Sequence, residues 1–216
     1  MSRLRRMPPR QTRRRSYDQY CAAARALDAV GDRWTLLVVR ELLGGPRRYT
    51  DLHADLPGVS TDVLASRLKD MERDGLATRR RLPPPSAASV YELTERGRGL
   101  LPVLAALSDW GAPELVERRP TDAVRAHWFA IPLLRALQAP GRVAVVEVRL
   151  DEGVFHLRLG DGAPSPYGDG PADAPDVRLT LDTDTRTALA AGALTLAEGV
   201  SAGQIKVEGD AALLGV

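Results

Sequence analysis

Cysteine is nearly absent. Cys21 stands alone among 216 residues, so no disulfide can close within the chain. Aromatic side chains are few, with two Phe, three Trp and five Tyr, so aliphatic residues must build most of any core. No apolar run reaches the roughly 20 residues of a membrane-spanning helix, and no secretory leader pattern is present. These absences predict a cytoplasmic protein without membrane contact. His53, His127 and His156 stand far apart in sequence, with no Cys pair or carboxylate at zinc-ligand spacing. A phosphate-cradling Gly loop, a nucleophile elbow and a paired-carboxylate motif are also missing. The expectation is a protein with no metal, no cofactor and no enzymatic activity.

What is there is an uneven charge. Residues 1–120 hold 22 Lys and Arg against 15 Asp and Glu, which leaves 8 against 13 from residue 121 onward. A basic front half suits a polyanion, and an acidic back half avoids one. The first 15 residues carry seven Arg and no acid. Residues 1–16 therefore read as a disordered basic arm, able to lie on phosphates.

Helical patterns follow at residues 21–30 and 33–43, the second apolar on nearly all sides and hence central in a core. A short third helix is expected over 50–56 with Thr50 as its cap. After Pro57 and Gly58, a fourth runs from the N-cap Ser60 to the stop Gly75. Its Leu64, Leu68 and Met71 share a buried face, while Asp62, Ser66, Lys69 and Arg73 lie opposite. Strand patterns at 76–82 and 89–94 flank a proline loop. Helix, tight turn, recognition helix and basic hairpin make a winged helix-turn-helix. Thr94 caps a further helix running to Trp110 with Pro102 inside it, where a bend is expected. The apolar face of that helix is wider than one small domain needs, which predicts a homodimer.

The stretches from Tyr20 to Leu37, from Gly45 to Leu52, from Leu64 to Lys69 and from Val90 to Gly97 resemble the HxlR-type winged-helix transcriptional regulators. The resemblance covers about residues 20–111 and implies a homodimer on double-stranded DNA, held through terminal helices, more often a repressor than an activator. Thr61, Asp62, Ser66 and Lys69 are the candidates for base edges, next to the cap Ser60. Arg67, at the margin of the buried stripe, and Arg73 are candidates for base edges or phosphates. Arg47, Arg48, Arg79, Arg80 and Arg81 are the candidates for phosphates.

Residues 112–122 read as a linker and 123–216 as a second unit, behind a DNA-binding unit at 17–111. Strands are expected at 143–150, 154–159, 176–182 and 204–208, mostly antiparallel, with a Gly/Pro-rich loop over 160–175 and short helices at 185–191 and 194–200. The fold class is α+β: a winged helix-turn-helix domain followed by a small α+β domain. Residues 175–181 and 202–210 resemble the end of sterol-carrier-protein-like lipid-binding domains. That resemblance implies a small apolar ligand, with Trp128, Phe129, Leu133, Phe155 and Leu157 as candidate pocket residues. Two other readings stand beside the regulator. One is a redox-responsive regulator acting through Cys21, which opens a helix whose dipole favours thiolate. The other is a lipid- or metabolite-binding protein that does not bind DNA.

Overall fold

The computed structural model describes residues 16–86, 88–115, 118–137, 143–160 and 165–215. The basic arm expected at 1–16 lies outside them except for its last residue.

Two helices open the described chain, α1 (Ala22–Val30) and α2 (Thr35–Leu43). Val38, Val39, Leu42 and Leu43 of α2 are buried, which makes this helix the centre of the front core. Strand β1 (Arg47–Arg48) and helix α3 (Tyr49–Asp55) follow. Thr50 is not the cap of α3. That position is taken by Arg48, whose amide donates to the Asp51 carboxylate at 3.2 Å, so the helix starts one residue early.

Helix α4 (Thr61–Arg73) matches its sequence reading at both ends. The Ser60 hydroxyl accepts from the Val63 amide at 3.4 Å. Gly75 has φ of 68°, and the Leu76 amide returns to the Met71 carbonyl at 2.9 Å, which closes the helix in a left-handed turn. Leu64, Leu68 and Met71 are buried as a stripe.

Strands β2 (Ala77–Arg81) and β3 (Ser89–Leu93) form the wing, and β1 adds to the far side of β3, giving the order β1-β3-β2. The helix expected from Thr94 to Trp110 is two helices, α5 (Glu95–Arg98) and α6 (Leu101–Gly111). Pro102 therefore sits in the first turn of α6, where its missing N–H has no partner to lose, and it bends nothing.

In the back half, a 3₁₀ turn (Ala126–Phe129) leads into α7 (Ala130–Ala136). A five-stranded sheet follows, built from β4 (Ala144–Leu150), β5 (Gly153–Leu159), β6 (Tyr167–Asp169), β7 (Val177–Thr180) and β8 (Lys206–Gly209), in the order β6-β5-β4-β7-β8. Helices α8 (Thr183–Ala190) and α9 (Leu196–Ser201) lie between β7 and β8. Two features differ from the sequence reading. Strand β6 falls inside the expected loop, and β7 runs parallel to β4. The parallel pairing is possible because a long connection, including β5 and β6, separates the two strands. No described helix is long and apolar enough to cross a membrane.

Candidate nucleic-acid interface and the junction behind it

Ser60, Thr61, Asp62, Ser66, Lys69 and Arg73 are all exposed on the outer face of α4. Lys69 has no ion-pair partner among the described residues. Arg73 is held by Asp70 at 2.7 Å and by Asp74 at 3.3 Å, yet its side chain stays exposed. Val63 and Ala65, which the sequence reading passed over, are exposed on the same helix. Their methyl groups are of the kind that contacts thymine methyls in a major groove. The Tyr49 hydroxyl donates to the Thr61 carbonyl at 2.7 Å and so pins α3 to the start of α4.

The wing adds charge beside this face. Arg79, Arg80 and Arg81 are exposed along β2. Arg79 lies over the Tyr91 ring at 6.0 Å, and Arg80 is paired with Glu92 at 3.1 Å. Arg48 donates to the Ser86 hydroxyl at 3.3 Å, which ties β1 to the proline loop.

Two expected phosphate contacts point elsewhere. Arg67 is half-buried and pairs with Asp32 at 3.1 Å and Asp70 at 3.2 Å. It clips α4 to the turn between α1 and α2 instead of reaching outward. Arg47 is turned inward, onto Asp55 at 2.8 Å and the Glu41 carbonyl at 3.2 Å, with Asp169 of the back half at 3.8 Å. Both guanidiniums are committed to carboxylates in partly buried settings, where a charge-assisted bond is hard to exchange for a phosphate.

Arg47 belongs to a junction that the sequence did not reveal. Glu41 of α2 is fully buried. Its carboxylate accepts from Trp128 Nε1 at 2.9 Å and from Arg40 Nε at 2.8 Å, and it lies 2.7 Å from His127 Nε2. The Arg40 guanidinium stacks over Trp128 at 4.2 Å. Burial alone would raise the Glu41 carboxyl, but the His127 hydrogen bond and the Arg40 charge outweigh it and hold the group below its ordinary value. Arg125 reaches Asp55 at 3.3 Å and the Ala54 carbonyl at 3.1 Å. Tyr167 of β6 is fully buried and donates to the Arg40 carbonyl, and burial pushes its phenol well up. A Cβ on Gly44 would stand 2.9 Å from the Tyr167 ring, so glycine is needed for this close approach.

The junction brings His127 beside two carboxylates, contrary to the sequence reading of isolated histidines. Glu41, Asp55 and His127 offer ligand atoms within 4.8 Å of one another. Their oxygens are already engaged by Arg40, Arg47, Arg125 and Trp128, so a cation there would have to displace three arginines.

Among the described residues, the five expected pocket residues line neither of two surface clefts. Phe129, Leu133, Phe155 and Leu157 are buried in the continuous core, with the Phe129 and Phe155 rings edge to face at 6.5 Å. Trp128 is committed to Glu41 and Arg40. A cleft of about 480 Å³ lies instead between the wing and the back half. Cys21 is exposed at the N-cap of α1, where the Ala24 and Ala23 amides hold its thiol below the ordinary value.

Residues 29–119 match the HxlR-like helix-turn-helix family, and residues 132–215 match the SCP-2 sterol transfer family. The HTH-type transcriptional regulator YvaP of Bacillus subtilis (strain 168) is 37% identical over 86 residues, which cover 40% of this chain and 80% of that protein. The regulator sll1512 of Synechocystis sp. is 39% identical over 101 residues, covering 45% of this chain and 75% of that one. Among solved structures, the reduced form of the transcriptional regulator YodB from B. subtilis aligns with a TM-score of 0.40 and 31% identity, over 43% of this chain and 92% of the other. The chain belongs to the HxlR-like helix-turn-helix family: it is a DNA-binding transcriptional regulator, and it carries an SCP-2 sterol transfer family region behind its winged helix.

Proposed function

We propose that α4 enters the major groove of double-stranded DNA and that the wing holds the adjacent backbone. One observation carries this reading: the outer face of α4 is exposed from Ser60 to Arg73, with Lys69 unpaired among the described residues and Arg79, Arg80 and Arg81 on the strand that follows. Thr61, Asp62, Ser66 and Lys69 read base edges, with Val63 and Ala65 beside them. Arg48, Arg73, Arg79 and Arg81 set register on phosphates. The DNA-binding unit is residues 17–111, the linker 112–122 and the regulatory unit 123–216. Quantitative footprinting with Lys69→Ala and Arg79→Ala tests the division of labour. Lys69→Ala should change which base pairs are preferred, whereas Arg79→Ala should weaken all sequences alike. Equal loss on specific and random DNA for both variants would refute it.

The working form is a homodimer. Val103, Leu107 and Trp110 recur at helical spacing on α6 and are exposed, Trp110 by 83%. Tyr20, just before α1, and Leu27, within it, are exposed as well. A second copy that covers this apolar stripe places two α4 helices on two half-sites. Repression by occlusion of a promoter is the regulatory sign, with a small ligand acting through the back half.

A second reading rests on the exposed Cys21 and its lowered thiol. Oxidation there releases DNA. Cys21→Ser should then keep its DNA in the presence of peroxide. A variant that responds as wild type does removes the thiol from the account.

A further inference from the structure

The cleft between the wing and the back half has walls from both parts of the chain. Its apolar surface comes from Leu42, Leu43, Pro46, Leu93 and Pro166. Three arginines also line it. Arg80 is neutralised by both oxygens of Glu92, at 3.1 and 3.2 Å. Arg98 of α5 and Arg158 of β5 have no acidic partner among the described residues, and Arg158 is half-buried. Arg158 is half-buried among apolar side chains and short of acceptors, and Arg98, which is exposed, adds a second cation to the same lining. An anion in the cleft supplies the acceptor that Arg158 lacks and is favoured by the charge of Arg98.

We propose that this cleft binds a small amphipathic carboxylate, its head between Arg98 and Arg158 and its apolar body against Leu42, Leu93 and Pro166. The volume lies within the roughly 300–1,000 Å³ of small-molecule sites, and a planar carboxylate suits the guanidinium fork. The site is separate from the closed core of the back half. A head group near Arg80 competes with Glu92, which spans β2 and β3, so occupancy is felt in the wing. That regulatory consequence rests on the DNA-binding reading. Ligand binding itself does not.

The test is calorimetric titration of the full chain with octanoate, octanol and inorganic phosphate. Octanoate should bind, and the other two should bind at least tenfold more weakly, because one lacks the charge and the other the apolar body. Arg158→Gln should weaken octanoate by about tenfold, the scale of one charge-assisted hydrogen bond. Ser165→Trp, which fills the cleft from its rim without removing a core side chain, should abolish binding even if Arg158→Gln fails to fold. Octanol or phosphate binding as tightly as octanoate, or octanoate binding unchanged in Ser165→Trp, overturns the proposal. Octanoate binding without any change in footprint leaves the site standing and refutes only its link to the wing.

Discussion

Glu41→Ala is the sharpest perturbation of the junction. The substitution removes the acceptor shared by Trp128 Nε1, Arg40 Nε and the facing His127. A buried donor left without a partner costs about 1–3 kcal/mol. Arg40 retains some access to water, with its side chain 18% exposed, and can be rehydrated, but His127 is 2% exposed and cannot. Trp128 is half-buried. The expected loss is therefore about 3 kcal/mol, at the low end of the roughly 3–5 kcal/mol found when one partner of a buried charged pair is deleted. Equilibrium urea denaturation followed by tryptophan fluorescence reads it. Glu41→Gln keeps an acceptor for Trp128 and should lose about half as much. A double-mutant cycle with Trp128→Phe should be non-additive, because the two residues share one hydrogen bond. A loss below about 0.5 kcal/mol for Glu41→Ala, or strict additivity in the cycle, refutes the junction as a cooperative unit.

Acid should open the same junction. The folded protein holds Glu41 below its ordinary value, so the carboxylate form stabilises the fold in and above the ordinary carboxylate range, and that contribution is lost as pH falls through the folded value. The hydrogen-exchange protection of α2 amides, corrected for the intrinsic pH dependence of exchange, should therefore be flat near neutrality and fall only in acid. Arg47→Ala should destabilise the protein and leave the salt slope of DNA binding unchanged, because its guanidinium faces Asp55, whereas Arg79→Ala should reduce the slope by about one. Trp110→Ser with Leu107→Ser should shift sedimentation toward monomer and remove the concentration dependence of the melting temperature, while leaving the monomer's own fold intact, since both side chains are exposed in the single chain.

The front half was legible because its signals are local. Ser60, Gly75 and the Leu64, Leu68, Met71 spacing mark α4 without help from any distant residue, and Thr94 marks α5 in the same way, its hydroxyl accepting from the Gly97 amide at 3.2 Å. Gly99 and Pro102 together were a legible sign that the helix after Thr94 restarts, but the continuous apolar pattern from Leu100 to Leu107 hid it. The outer face of α4 followed from the helical period alone. What failed depends on partners that only the folded chain brings together, most of them far away in sequence. Arg47 and Arg67 look like free basic residues until Asp55 and Asp32 come beside them. Glu41 sits in an apolar helix as an apparent surface charge, and only the approach of His127 and Trp128, 86 and 87 residues later, makes it a buried hub. Strand β6 has three residues and no periodicity. Its place is set by pairing with β5 and by Tyr167 docking under α2. Of the five residues read as a pocket, Phe129, Leu133, Phe155 and Leu157 share one core, where apolar side chains close on one another, and Trp128 turns to Glu41 and Arg40.

Footprinting on the DNA upstream of the protein's own coding sequence, repeated across a salt series, tests the central claim most directly. A winged-helix dimer predicts two protected half-sites about one helical turn apart and an affinity that falls steeply and linearly with log salt. Salt-independent binding, or no protection of any upstream segment, would contradict the assignment of α4 and the wing as the DNA-reading surface.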